Sequence, residues 1–159
     1  MCKVKTKENG SEVSMNILFF LTPKENVSYL PEDYTLRQAL EKMKYHGYSA
    51  VPVLTLDGRY VGTVTEGDLL WAMMDEARFD LEKAELIFLR DMERRRDNRP
   101  VTVNTDMDDL VDVIKDQNFV PVIDDEQRFI GIVTRKDVIE FYYREYQKAE
   151  QKEEHNGTV

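Results

Sequence analysis

A threonine followed three residues later by an aspartate occurs twice in matching surroundings, as Gly62-Thr63-Val64-Thr65-Glu66-Gly67-Asp68 and as Gly131-Ile132-Val133-Thr134-Arg135-Lys136-Asp137. Each apolar run ahead of the threonine reads as a strand and each stretch after it as a helix. At such a junction backbone N–H groups are unpaired, the helix dipole is positive, and a threonine hydroxyl adds a donor; together these suit an anion. An ionised aspartate one turn on accepts two hydrogen bonds from vicinal hydroxyls such as those of ribose. The same Thr-x-x-Asp spacing is also that of a capping box, in which the side chains only close the helix end. Duplication inside a matching unit favours a ligand role for at least one copy.

The two copies differ between threonine and aspartate. Glu66-Gly67 in the first places a carboxylate where a phosphate would sit, whereas Arg135-Lys136 in the second lowers the Coulomb energy of an anion. Thr134 and Asp137 are therefore expected to make the better phosphate site. Thr65 and Asp68 need help from the one basic cluster, Arg94, Arg95, Arg96 and Arg99. That cluster reads equally as a solvated helix end among Asp91, Glu93 and Asp97. Tyr48 and Phe119 are able to stack on a base, although aromatics beside strands are commonly core. Phe19, Phe20, Phe141 and Tyr142 read as packing or dimer surface.

Little else invites chemistry. Two histidines, His46 near a helix end and His155 in the tail, and one cysteine, Cys2, leave an enzyme little to build from. No Walker motif and no metal-ligand spacing is present. Net charge is −9, which argues against nucleic acid or an anionic membrane as the main partner. The most apolar N-terminal run, Ile17 to Leu21, is far too short for a membrane span. A single cysteine permits no intrachain disulfide and fits a reducing cytoplasm. With 159 residues and 42% hydrophobic content the chain suffices for one core or two small units sharing one.

The elements that must position the motifs also repeat. Matched positions (121 − 52, 131 − 62, 134 − 65, 137 − 68) are always 69 apart. Thr35, with Gln38 as its capping partner, opens a helix whose Leu36, Ala39, Leu40 and Met43 share one face, and Gly47 marks its end. Met107, Leu110, Val111 and Ile114 repeat that spacing, with Thr105 and Asp108 at the start. The helix offset is 71, so the second copy lacks two residues between helix and strand. Hairpins follow: Val51–Leu54 through Asp57-Gly58 to Tyr60–Val64, and Val120–Ile123 through 124–127 to Phe129–Val133. Second helices are expected over Asp68 to about Asp75 and Asp137 to about Gln147. Short β-rich runs, Val27-Ser28-Tyr29 and Val101-Thr102-Val103, precede the first helices. Leu81 to about Met92 reads as a connecting helix.

On these residues the chain resembles a tandem pair of CBS domains, the regulatory module named after cystathionine β-synthase, in a stand-alone protein of bacterial type. The motif after the hairpin, the apolar-Pro-apolar strands and the recurrence carry the resemblance, over roughly residues 16 to 145. It implies an α+β fold: two β-α-β-β-α units packed sheet to sheet with pseudo-twofold symmetry. The divisions are a polar arm (1–14), a first domain (15–76), a connecting helix and Arg-rich lead-in (77–99), a second domain core (100–147) and a charged tail (148–159).

The resemblance further implies binding of an adenine-containing ligand, AMP, ADP, ATP, cyclic di-AMP or S-adenosylmethionine, in clefts between the repeats. One cleft would use Thr134, Arg135, Lys136 and Asp137 with Thr22, Val27, Tyr48, Ser49 and Ala50. The other would use Thr65 and Asp68 with Arg94, Arg95, Arg96, Val101, Asn118 and Phe119. It implies a homodimer, an effector protein contacted in trans, and no required cofactor, metal or catalytic residue. The rival reading is a ligand-free dimeric scaffold in which both motifs are only caps.

Overall fold

The computed structural model describes residues 15–95 and 97–156, so the polar arm (1–14), Arg96 and 157–159 lie outside the described residues. In chain order the elements are β1 (Thr22–Pro23), β2 (Leu30–Pro31), α1 (Leu36–His46), β3 (Ala50–Leu54), β4 (Tyr60–Thr65), α2 (Glu66–Asp75), α3 (Leu81–Ala84), β5 (Val101–Thr102), α4 (Met107–Ile114), β6 (Phe119–Ile123), β7 (Phe129–Thr134) and α5 (Arg135–Asn156).

The first helix forms where its caps allow. The Thr35 hydroxyl accepts from the Gln38 N–H at 3.2 Å and the Gln38 side chain accepts from the Thr35 N–H at 2.9 Å, a complete capping box. Gly47, with φ of 68°, ends it. Leu36, Ala39 and Met43 are buried along one face. In α4 the cap is Asp106, which accepts from the Asp109 N–H at 2.8 Å, rather than the expected Thr105. The Thr105 hydroxyl is taken by the Thr102 N–H at 3.1 Å, which closes the turn after β5.

Two sheets result, β2-β3-β4 and β1-β7-β6-β5. Both hairpins carry a register shift at the same place, between Val53 and Leu54 and between Val122 and Ile123. In the parallel pairs, Leu30 stands opposite Val53 and Val101 opposite Val122. The first β-rich run therefore lies three residues later than expected. Val27 closes a 3-10 turn over Lys24–Asn26 by donating to the Lys24 carbonyl, and Leu30 and Pro31 form the strand.

The lead-ins are exchanged between the repeats. β1 pairs with β7, Thr22 opposite Ile132 and Pro23 opposite Gly131, so the start of the first repeat completes the sheet of the second. Ile17 and Phe20 accordingly belong to the second core with Leu110, Val120, Val122 and Val133. Leu89 and Met92, from the segment before the second repeat, belong to the first core with Leu30, Leu36, Val53 and Leu69. Full burial of each such side chain contributes about 1.5–3 kcal/mol, which ties the two units together.

Two expected elements differ in extent. The connecting helix is reduced to α3. Residues 87–90 run beside the 32–36 loop instead: Leu36 N–H donates to the Ile87 carbonyl (2.8 Å), Leu89 N–H to Tyr34 (2.9 Å) and Arg90 N–H to Glu32 (3.0 Å). A backbone committed to those partners cannot continue a helical ladder. α5 overruns its expected end near Gln147 and takes in most of the expected tail (148–159), as far as Asn156. Its Glu, Lys, Gln and Ala residues are good helix formers, and Lys148 pairs with Glu145 at 2.8 Å across one turn.

Candidate functional site

The second motif sits where β7 gives way to α5. The Thr134 hydroxyl accepts from the Asp137 N–H at 3.1 Å and donates to Asp137 Oδ2 at 2.5 Å. The Thr134 hydroxyl thus caps the helix and engages one carboxylate oxygen; among the described residues Oδ1 has no hydrogen-bond partner, and Asp137 is half-buried. Thr22 is brought beside this corner by β1, directly opposite Ile132 and two positions before Thr134 along β7. That approach needs Gly131, since a Cβ there would collide with the Thr22 carbonyl oxygen. Val27 follows at the end of the next turn.

The two basic residues of this motif have different surroundings. Arg135 Nε donates to the carbonyls of Ile114 (3.1 Å) and Gln117 (2.8 Å), so its charge meets the C-terminal end of α4. Lys136 is 80% exposed, with its ammonium 3.7 Å from Glu140. Tyr48 is half-exposed and its ring stacks on His46 at 5.3 Å. Ser49 precedes β3 and Ala50 begins it beside the other motif: the Ser49 carbonyl accepts from Glu66 N–H at 3.1 Å, and Ala50 stands opposite Thr65. Among the described residues no hydrogen bond joins Tyr48, Ser49 or Ala50 to Thr134 or Asp137.

The first motif is closed. Asp68 is 4% exposed. Its Oδ2 accepts from the Thr65 N–H (2.9 Å) and hydroxyl (2.7 Å), and its Oδ1 accepts from the Arg95 N–H (3.1 Å). Arg94 is turned onto Asp97 at 2.8 Å with its side chain 14% exposed. The guanidinium of Arg95 lies 4.7 Å from the centre of the Trp71 ring, a cation–π contact. Arg96 lies outside the described residues. Val101, expected to mirror Val27, is the counterpart of Leu30 in the parallel pairing and is buried in the second core. The ring of Phe119 is buried too, while Asn118 is exposed and its carbonyl accepts from Arg135 N–H at 3.0 Å.

Four residues around the linker have roles not anticipated from sequence. Asp97 Oδ1 accepts from the Thr63 N–H at 2.9 Å on the edge of β4. The Tyr60 hydroxyl donates to the Asn98 carbonyl at 2.7 Å and lies 2.8 Å from the Thr63 hydroxyl; burial pushes its pKa up. Asn98 Nδ2 donates to the Phe119 carbonyl at 2.9 Å. The signal available was Asp97 at three positions from Arg94, a spacing that favours a local ion pair over a free basic cluster. Among the described residues no group of His, Cys, Asp and Glu is placed to hold a metal ion. Nor, among them, is any helix long and apolar enough to cross a membrane.

Comparison with known proteins places this geometry. The CBS domain family model matches the chain twice, over residues 20–75 and 89–144. The chain belongs to the CBS-domain family. Cyclic di-AMP receptor B of Bacillus subtilis is 28% identical over 125 residues, covering 76% of this chain and 81% of the relative. The CBS chain also spans 44% of the length of a Methanocaldococcus jannaschii relative, an uncharacterised protein to which it is 26% identical over 80% of its own length. Among solved structures, CbpB in complex with cyclic di-AMP superposes with a TM-score of 0.77 at 20% identity, covering 88% of this chain and 92% of that one. CBSX2 in complex with AMP superposes with a TM-score of 0.65 at 23% identity, covering 81% and 96%. These two likenesses establish the fold: a tandem CBS pair with α+β units.

Proposed function

We propose that this CBS pair is a non-catalytic regulatory module that binds one of the adenine-containing ligands, of the AMP, ADP, ATP or cyclic di-AMP class, at Thr134 and Asp137. The observation that carries this reading is the Asp137 carboxylate, half-exposed with one oxygen unengaged beside a helix N-terminus and the Thr22 strand. That oxygen is an acceptor for ribose hydroxyls, and Lys136, in the first turn of α5, meets the phosphate at the positive end of the helix. Tyr48, Ser49 and Ala50 supply the adenine side in this reading. The ligands in the names of the Bacillus relative and of the CbpB and CBSX2 structures support the same class.

Occupancy acts on a protein partner in the cytoplasm through two copies of the chain. Leu70 and Met74 on α2 are exposed, and so are Ile139 and Tyr143, at the matching positions of α5. Such paired apolar surface suits a second copy of the chain. A ligand shifts this assembly only by its differential affinity for two states. The alternative is the ligand-free scaffold, favoured by the closure of the Asp68 motif.

A thermal-shift screen with AMP, ADP, ATP, cyclic di-AMP and S-adenosylmethionine tests the reading. A ligand at 100 times its dissociation constant stabilises by about 2.7 kcal/mol. One responding ligand supports the module; silence from all five supports the scaffold.

A further inference from the structure

We propose that the Thr65–Asp68 motif is a clasp for the linker between the repeats and takes no ligand, so that each chain holds a single adenine ligand. The stoichiometry rests on the ligand reading above; the clasp does not. A carboxylate can hold two vicinal hydroxyls only if it is reachable and has acceptor sites free. Asp68 fails on both counts: it is 4% exposed, and three donors of the chain take all but one of its roughly four acceptor sites, too few for two hydroxyls. The N–H of Arg95 on Oδ1 stands where a ligand hydroxyl would have to donate. Asp137, at the same place in the second repeat, is half-buried and keeps Oδ1 open among the described residues.

The linker is fastened on both sides of that contact. Downstream, the Asp97 carboxylate accepts from Thr63 N–H on the β4 edge, and the Asn98 carbonyl accepts from the half-buried Tyr60 hydroxyl. This is the edge that, in the second repeat, β1 covers by pairing Thr22 with Ile132. Upstream, Arg94 neutralises Asp97 and Met92 is buried in the first core. The Arg95 side chain lies over Trp71, the one tryptophan of the chain, so the clasp covers its own optical reporter. Glu66, in the first turn of α2, repels a phosphate from the same corner.

Amide hydrogen exchange at Arg95, tryptophan emission, and native mass spectrometry with AMP and with cyclic di-AMP test this on the full chain. The wild type is expected to show a protected Arg95 amide and one ligand per chain. Asp68→Asn is expected to speed Arg95 exchange at least tenfold and shift Trp71 emission, leaving ligand affinity within about threefold. If Asp68→Asn fails to fold, Arg95→Pro, which deletes the N–H and leaves Asp68 intact, is read instead for faster exchange at the Thr63 amide, which Asp97 of the same linker holds. An unprotected Arg95 amide in the wild type, or two ligands per chain, overturns the clasp. A protected amide with neither of these bound, nor ADP or ATP in the same measurement, keeps the clasp and refutes the ligand reading instead.

Discussion

Arg59 faces Arg128 across an antiparallel bridge, and the two residues occupy the same position in the two repeats. The neighbouring equivalents Tyr60 and Phe129 stack at 6.4 Å, and the Phe129 N–H donates to the Gly58 carbonyl at 2.9 Å. The pseudo-twofold axis therefore runs between the hairpin turns. Two like charges are tolerated there because each is exposed and held by a carboxylate of its own turn, Asp57 at 3.1 Å and Glu126 at 2.8 Å.

The same turns give a stability prediction. Gly58 has φ of 87°, and its counterpart Gln127 has φ of 67°, the left-handed region that disfavours side chains. Gln127→Gly is expected to stabilise the protein by about 0.5–1 kcal/mol, the relief of strain exceeding the extra entropy of the unfolded chain. Gly58→Gln is expected to destabilise by about 1–2 kcal/mol. Urea denaturation of the two variants checks both signs.

Tyr60 gives the pH dependence. Burial raises its hydroxyl pKa above the ordinary value of 10.0, with the Thr63 hydrogen bond acting in the opposite direction. The unfolded chain releases this proton near pH 10 while the folded chain retains it. The contribution is therefore fully present below pH 10 and declines by up to about 1.4 kcal/mol for each pH unit above it. Tyr60→Phe is expected to cost about 1 kcal/mol at pH 7 and to flatten the loss between pH 10 and 11. An unchanged alkaline slope in the variant would contradict the assignment.

Gly131 links stability to binding. A Cβ there meets the carbonyl of Thr22 and the side chain of Leu21, so the β1–β7 pairing must yield. Gly131→Ala is expected to destabilise by about 1–3 kcal/mol and to weaken adenine-ligand binding, because Thr22 is displaced from the motif. Calorimetric melting and titration of one preparation separate the two effects.

The apolar helix faces give a prediction on assembly. Ile139 on α5 is 59% exposed in the single chain. Ile139→Glu is expected to shift the protein from dimer to monomer in analytical ultracentrifugation without lowering its helix content. A wild type that sediments as a monomer at every concentration would remove the dimer from the account.

Local signals were legible in the sequence and distant ones were not. The Thr35–Gln38 capping box, the stop at Gly47 and both hairpins are written within a few residues, and each stands where its spacing put it. The exchange of lead-ins is different, since nothing around Thr22 names Ile132 as its partner. The connecting helix is shorter than its pattern for the same reason: residues 87–90 exchange backbone bonds with 32–36, far away in the chain. At the motifs the sequence separated the copies by charge, through Glu66 and Arg135-Lys136. The structure separates them by access, through Arg95 on Asp68, a backbone contact that side-chain identity does not encode.

Titration calorimetry of AMP and cyclic di-AMP into the wild type and Asp137→Ala tests the central claim most directly. Loss of the Asp137 carboxylate is expected to weaken the binding ligand at least tenfold, about 1.4 kcal/mol, while Asp68→Ala, if folded, retains near wild-type affinity. Equal affinity in the wild type and Asp137→Ala, with the loss falling on Asp68→Ala, would contradict the account.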